Sequence, residues 1–125
     1  MKVPENLLYT KEHEWISKKD NVVKVGITDF AQSQLGDIIF LELPEVGDQI
    51  IAGESFGEIE AVKTVSELYA PIDGTILEVN EDLEDSPDNI NQDCYGTGWI
   101  IKVSHEGDFE SNDLLDHKAY SNLIE

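Results

Sequence analysis

Lys63 is the side chain in this sequence best placed for covalent chemistry. No other basic residue occurs between Lys24 and Lys102, a stretch that holds 17 Asp and Glu residues. Apolar and polar residues alternate on both sides of Lys63, as they do in half-buried strands. The pattern predicts a β-hairpin with the lysine at its tip, where another enzyme reaches the amine without unfolding the protein. The competing interpretation is an ordinary surface lysine.

Other reactive arrangements are poorly supported. The three histidines, His13, His105 and His117, are scattered and do not form a zinc-binding spacing. The sequence contains no nucleophile elbow and no phosphate-binding glycine loop. Cys94 is the single cysteine, which excludes an intrachain disulfide, and we interpret it as a structural thiol. No catalytic or metal site is therefore predicted.

The charge balance is strongly acidic. Eight lysines, no arginine and 27 acidic residues give a formal net charge of −19. Such a surface repels phosphate backbones and anionic lipid headgroups, so we expect neither a nucleic-acid nor a membrane partner. The N-terminus resembles neither a signal peptide nor a transit peptide, and no apolar run approaches membrane-spanning length. We expect a cytoplasmic location.

The chain is predicted to be mainly β. Turn residues at 18–21 separate two strands, and strand patterns recur from Asp37 onward. Thr28 and Gly36 bracket a short helix near residues 29–35, with Phe30, Ala31 and Leu35 facing inward. The acidic stretch Asn80–Gly98 resembles a calcium loop in charge alone and is interpreted as a solvated loop.

Two weak internal similarities suggest paired halves. Gly36–Leu41 resembles Gly74–Val79 at a separation of 38 residues, and Phe56–Ile59 resembles Trp99–Lys102 at a separation of 43. Two copies are too few for a solenoid. They favour a small two-sheet β-sandwich or flattened barrel with pseudo-twofold halves.

A second helix is predicted at the C-terminus, at about residues 112–124. Its predicted buried stripe consists of Leu115, Ala119 and Leu123, which lie four residues apart. No Pro-, Ala- or Gly-rich linker interrupts the sequence, so residues 1–125 are expected to form one domain around a core of about residues 22–104.

The segment Glu60–Val65 resembles the modified hairpin of lipoyl and biotinyl carrier domains, in which one lysine carries the cofactor. Biotin carriers typically place methionines beside that lysine, whereas Val62 and Thr64 stand here. The resemblance therefore favours lipoate, amide-linked to Lys63, and the lipoyl/biotinyl-carrier type of fold.

Further segments are similar to the H protein family of the glycine cleavage system. They cover nearly the whole chain from about residue 7: Tyr9–Trp15, Val25–Gln32, Leu35–Ile38, Leu43–Asp48, Gly57–Pro71, Asn80–Glu81, Leu83–Pro87, Tyr95–Gly96 and Gly98–Trp99. Ala61 and Cys94 depart from the serine and proline common in the family, and neither touches the lysine.

This resemblance implies a carrier and not an enzyme. The lipoyl arm on Lys63 would take the aminomethyl group of glycine from a pyridoxal-phosphate glycine decarboxylase, the P protein, to a folate-dependent aminomethyltransferase, the T protein. A flavin enzyme, dihydrolipoyl dehydrogenase or L protein, would reoxidise the arm. Lipoylating enzymes would attach it. The acidic surface would steer these partners through basic surfaces around their active sites.

Two carboxylates are candidates for sheltering the loaded arm. Glu14, in the His-Glu-Trp segment, and Glu67, beside the hairpin, could pair with its cationic amine. The competing interpretation for both is an ordinary surface acid.

Two alternative carrier functions remain open from the sequence. The chain could be a relay that passes octanoate or lipoate to other complexes, as some members of the family do. It could also be a biotinyl carrier, which Val62 and Thr64 disfavour.

Overall fold

Two antiparallel sheets form the body of the protein. The computed structural model describes residues 2–105 and 114–124. The strands are β1 (Leu8–Tyr9), β2 (Glu14–Lys19), β3 (Val22–Ile27), β4 (Ile38–Glu42), β5 (Gln49–Ile50), β6 (Ser55–Ala61), β7 (Val65–Tyr69), β8 (Gly74–Val79) and β9 (Ile101–Ser104). The helices are α1 (Asp29–Leu35), α2 (Asp82–Asp85), α3 (Asn89–Asp93) and α4 (His117–Ile124). One sheet has the order β1-β2-β3-β9-β8-β5 and the other the order β4-β6-β7.

An apolar core fills the structure. Its fully buried members come from both sheets and from the α2–α3 region, and include Val25, Ile59, Ile76, Leu83, Ile90, Ile101 and Val103. Burial of apolar side chains is the main favourable term in folding. The mainly β two-sheet prediction is thus confirmed, although the larger sheet also includes β1 and β2, which precede the predicted core.

The internal similarity seen in the sequence has a structural counterpart. β4 pairs with β6 in the small sheet, and β8 pairs with β9 in the large sheet. Both pairings carry a register shift at equivalent places, between Ile38 and Phe40 and between Ile76 and Glu78, again 38 residues apart. The second similarity is displaced by one residue from the prediction. Leu41 pairs with Ile59, and its counterpart Val79 pairs with Ile101. The equivalent residues Ile59 and Ile101 are therefore separated by 42 residues and not by 43.

Helix α1 forms where its flanking residues predict it. The Thr28 hydroxyl accepts a hydrogen bond from the main-chain N–H of Ala31 at 3.2 Å, which caps the first turn. Gly36, at φ 78°, ends the helix in a backbone conformation that favours glycine. The prediction that Phe30 and Leu35 face inward holds only in part, because no residue of α1 is fully buried.

The acidic stretch after β8 is not a simple solvated loop. It forms α2 and α3, and it buries Leu83, Ile90 and Cys94 in the core. The prediction was wrong because the acidic residues dominate the composition, whereas a few apolar residues decide the packing. The carboxylates remain on the outside of these short helices.

The C-terminal helix also differs from the prediction. Within the described residues it begins at His117, and Leu115 instead forms an antiparallel bridge with Tyr9. The predicted stripe is wrong, since Leu123 is 48% exposed while Tyr120 is fully buried. The part of the predicted helix at residues 112–113 lies outside the described residues.

Candidate functional site

Lys63 lies at the tip of the hairpin that joins β6 to β7. Three residues, 62–64, connect the strands, and Glu60 pairs with Val65 at the base of the turn. The turn is closed by the Ala61 N–H, which donates to the Thr64 carbonyl at 2.8 Å. The Val62 N–H donates to the Asp37 carbonyl at 3.0 Å and ties the tip to the segment before β4. These bonds fix the backbone that presents the lysine.

The lysine side chain is exposed and unpaired within the described residues. The ion pair found in the described part of the chain is between Lys102 and Glu78 on the other sheet and does not involve Lys63. The apolar residues nearest in sequence, Val62 and Val65, are 66% and 56% exposed. The tip therefore offers a free amine beside two exposed apolar side chains, which suits contact with other proteins.

Glu14 begins β2 of the large sheet, and its buried side chain reaches the edge strand β7 of the small sheet. One carboxylate oxygen accepts the Tyr69 N–H at 2.8 Å, and the other accepts the Thr10 hydroxyl at 3.3 Å. Loss of solvation raises the pKa of Glu14 to about 8, although the hydrogen bond from Tyr69 opposes the shift. Glu14 is therefore not the ordinary surface acid of the competing interpretation.

Glu67 occupies a different environment. Its side chain is exposed on β7, and its carboxylate accepts a hydrogen bond from the Tyr69 hydroxyl at 3.0 Å. Tyr69 thus contacts both candidate acids, one through its main chain and the other through its side chain.

A cleft of about 160 Å³ brings the two acids together. Glu14 and Glu67 both line it. The rest of the lining comes from the segment before β2, from α1 and from neighbouring strands: Glu12, His13, Ile27, Ala31, Gln34, Leu35, Ile59, Ser66 and Leu68. Lys63 is not among them. It precedes β7 by two residues, and this strand covers roughly 7 Å from Val65 to Glu67 at about 3.3 Å per residue.

The sequence did not single out the α1 wall of this cleft. Asn91 holds that wall in place, because its side-chain amide donates to the Gln32 side chain at 3.1 Å and to the Gly36 carbonyl at 2.8 Å. Its oxygen accepts the Ile38 N–H at 3.0 Å. In the sequence Asn91 is one polar residue among several, since Asn89, Gln92 and Asp93 are close to it, so nothing marked it out.

The structure offers little to conventional catalysis. Burial raises the pKa of the Cys94 thiol to about 12, so this residue is a poor nucleophile. In residues 2–105 and 114–124, no group of three or more His, Cys, Asp and Glu residues could hold a metal ion. None of the helices described has the length and apolar character needed to cross a membrane.

Comparisons with known proteins identify the family. The model of the glycine cleavage H-protein family matches residues 7–125. The chain belongs to this family. The glycine cleavage system H protein of Bacillus licheniformis is 53% identical over 124 residues, which cover 99% of this chain and 98% of that protein. The corresponding protein of Carboxydothermus hydrogenoformans is 52% identical over 123 residues, or 98% and 95% of the two chains.

A solved structure of the same family shows the same fold. The crystal structure of a glycine cleavage system H protein from Mycobacterium marinum superposes with a TM-score of 0.89 at 44% identity, covering 96% of this chain and 97% of that one. H proteins are non-catalytic lipoyl carriers of the glycine cleavage system, so the family and carrier predictions are confirmed.

Proposed function

We propose that Lys63 is the residue that carries lipoate, through an amide to its side-chain nitrogen. The observation that supports this most directly is the free, exposed lysine on a turn held by two main-chain hydrogen bonds, in a chain of the H-protein family. The residues fit the group, because the amine is accessible to a lipoylating enzyme and β7 leads from it to an acid-lined cleft. Lipoate supplies a disulfide that accepts the aminomethyl group of glycine.

The protein itself acts as a rigid attachment point for the lipoyl arm. The rigid turn sets the point from which the arm swings, and the exposed Val62 and Val65 provide apolar contact surface beside it. A tethered carrier raises the local concentration of its cargo at each enzyme it visits. In this proposal it visits glycine decarboxylase, the aminomethyltransferase and dihydrolipoyl dehydrogenase in turn.

Glu14 and Glu67 are proposed to hold the cationic aminomethyl cargo between those visits. Both line the cleft, and the Tyr69 and Thr10 hydrogen bonds orient the Glu14 carboxylate. A carboxylate pairs strongly with an amine cation where water is partly excluded. The arm has to fold back along β7 to bring its cargo there.

The protonation state of Glu14 links this shelter to pH. With the cleft empty, the pKa of about 8 leaves much of Glu14 protonated near neutral pH. A cation placed beside the carboxyl favours its ionised form and lowers that pKa. Arrival of the cargo is therefore expected to release a proton from Glu14, and retention is expected to weaken as the pH falls.

The acidic surface is proposed to guide the partner enzymes. Glu42, Glu58 and Glu67 lie side by side across the three strands of the small sheet, since Glu58 pairs with both of the others. All three are exposed. Their negative field next to the hairpin favours approach of partners that present basic surfaces around their active sites.

The decisive experiment is glycine-dependent exchange of carbon dioxide, using lipoylated protein and glycine decarboxylase. Lys63→Arg retains the positive charge but cannot be acylated, so it should abolish exchange. Lys19→Arg, at another exposed lysine, is the matched control and should be fully active. Normal activity of Lys63→Arg would overturn the assignment.

Two further measurements separate the alternative carriers. Intact mass of protein from lipoylating cells distinguishes lipoate from octanoate and biotin on Lys63. Reconstitution with the three enzymes then distinguishes a shuttle from a lipoate relay, because only a shuttle supports complete turnover of glycine.

A further inference from the structure

His13 connects the cleft to the C-terminal helix. The residue lines the cleft, and its backbone adopts a φ of 68°, which is uncommon outside glycine. Its Nδ1 atom lies 2.9 Å from the hydroxyl oxygen of Tyr120 on α4. Tyr120 is fully buried and stacks on Tyr9, with ring centroids 4.6 Å apart. A residue from the far end of the chain thus contacts the wall of the cleft.

The direction of this hydrogen bond follows from a third residue, Thr28. Its hydroxyl oxygen accepts the Ala31 N–H and lies 2.7 Å from the Tyr120 hydroxyl oxygen. Thr28 is fully buried, and a buried hydroxyl proton without an acceptor is costly. Among the described residues, the Tyr120 oxygen is the acceptor within its reach, so Thr28 donates to Tyr120.

The chain of donation then continues to the histidine. Because Tyr120 accepts from Thr28, its own proton is free to point at His13 Nδ1. A ring nitrogen that accepts a hydrogen bond carries no proton, and the neutral imidazole therefore carries its proton on Nε2. Thr28, which caps α1, thereby sets the tautomer of a residue in the cleft through Tyr120.

We propose that Tyr120 is a positioning residue that holds His13 as the neutral Nε2–H tautomer, so that the imidazole does not add a positive charge beside the cationic cargo. This inference rests on the proposed sheltering role of the cleft. An imidazolium at this point would neutralise part of the field of Glu14 and Glu67 and would repel an amine cation.

Burial favours the neutral form of His13 over the protonated form, which the nearby carboxylates favour. Glu12 and Glu14 flank it in the chain, Glu67 faces the same cleft from β7, and the ring of Phe30 on α1 lies 4.8 Å away. Burial lowers the pKa of His13, and the charge of Glu12 opposes that effect. The hydrogen bond from Tyr120 adds to burial, because protonation of Nδ1 would break it.

The tautomer is directly measurable by ¹⁵N NMR of the histidine ring in the full-length, unlipoylated chain. We expect Nδ1 to be the unprotonated nitrogen in the natural protein. Tyr120→Phe should lose the fixed tautomer and raise the pKa of His13. Tyr9→Phe is the matched control, since it removes a buried hydroxyl from the stacked partner ring, one that donates to the Pro4 carbonyl instead. Protonated Nδ1 in the natural protein, or an unchanged tautomer in Tyr120→Phe, would overturn the inference.

The effect on the cargo is measured with lipoylated, aminomethyl-loaded protein between pH 5.5 and 8, a range of about one unit or more on each side of an ordinary histidine pKa. Tyr120→Phe should lose its cargo severalfold faster than Tyr9→Phe at the acidic end and at the same rate at pH 8. His13→Asn, which tolerates the positive φ and never ionises, should remove the difference when combined with Tyr120→Phe. Equal rates for Tyr120→Phe and Tyr9→Phe throughout would refute the effect on the cargo. Failure of the natural protein to protect cargo at all would refute the sheltering role, while the NMR result would still decide the tautomer.

Discussion

The main-chain N–H of Tyr69 donates a 2.8 Å hydrogen bond to the carboxylate of Glu14, 55 residues earlier in the chain. Tyr69 ends β7, an edge strand of the small sheet, where main-chain donors have no neighbouring strand to bond. The bond therefore satisfies a main-chain donor at the strand edge and fixes a buried carboxylate in the lining of the cleft. It joins the two sheets at the point where we propose that the cargo is held.

Burial of Glu14 makes stability depend on pH. Its pKa rises from an ordinary value of 4.5 to about 8 on folding, so the folded protein binds the proton more tightly than the unfolded chain. The resulting stabilisation is fully present below about pH 4.5 and is lost as the pH rises through about 8. Glu14→Gln has no titrating group at this position. Its free energy of unfolding relative to the natural protein should therefore rise by a few kcal/mol as the pH is raised from about 4.5 to about 8.

Urea unfolding at a series of pH values measures this difference. Glu54→Gln, at an exposed position, controls for the loss of one negative charge. If the difference between Glu14→Gln and the natural protein stays constant from pH 4.5 to 8, the carboxyl group of Glu14 is not perturbed as described.

Removal of both acids should shorten the life of the loaded arm. Glu14→Gln with Glu67→Gln keeps the shape of the cleft but removes the charges that pair with the amine cation. A charged hydrogen bond contributes about 1.5–3 kcal/mol, which corresponds to a loss of protection of roughly tenfold or more per acid. The rate at which formaldehyde and ammonia appear from loaded protein gives the lifetime.

The control for that experiment is the pair Glu54→Gln and Glu81→Gln, which removes the same charge at exposed positions outside the cleft lining. An unchanged lifetime in the cleft variant would show that the acids do not shelter the cargo.

Glu58 should affect stability and association in opposite directions. It lies between Glu42 and Glu67, and like charges that face each other across strands are destabilising. Glu58→Lys should therefore stabilise the fold by up to about 1 kcal/mol. The same change should slow association with the partner enzymes, because it reverses the field beside the hairpin.

Stopped-flow association at several ionic strengths tests this second effect. Rates for the natural protein should fall as salt is added, since screening is strong beyond about 8 Å at 0.15 M. Glu81→Lys, which makes the same change in net charge on the side of α2, is the control and should be slowed less. Salt-independent rates with all three enzymes would contradict electrostatic steering.

The sequence predicts some parts of this structure well, for physical reasons. The tip at Lys63 follows from strand alternation on both sides, and α1 follows from Thr28 and Gly36, which are local signals at its ends. The burial of Tyr120 is not a local property. It depends on the ring of Tyr9 and on the hydroxyl of Thr28, which approach it only after folding.

Burial of the residues that line the cleft could not be predicted from the sequence either. Glu14 and Glu67 were candidates from the sequence, but whether either was buried could not be predicted, because desolvation depends on residues distant in the chain. The α2–α3 region was missed since its acidic residues outnumber the apolar residues that anchor it. Composition indicates solvation, whereas Leu83 and Ile90 determine the packing.

Gly26 should be intolerant of any side chain. A Cβ atom built there would lie 2.6 Å from the indole of Trp15, which pairs with Gly26 across β2 and β3 and is fully buried. Gly26→Ala therefore has to displace the indole, whose N–H donates to the Cys94 carbonyl at 3.0 Å. Overpacking of this kind costs about 1–3 kcal/mol, and loss of a buried hydrogen bond adds to it.

A double-mutant cycle with Trp15→Phe tests the contact itself. The smaller ring leaves room for the alanine, so Gly26→Ala should cost less in the Trp15→Phe background than in the natural protein. Thermal unfolding gives the four stabilities. Additive effects of the two substitutions would show that the glycine is required for some reason other than the indole. Because Trp15 directly follows Glu14, a displaced indole should also alter the pH dependence of stability that the Glu14 carboxyl produces, and the same unfolding series at several pH values would detect that change.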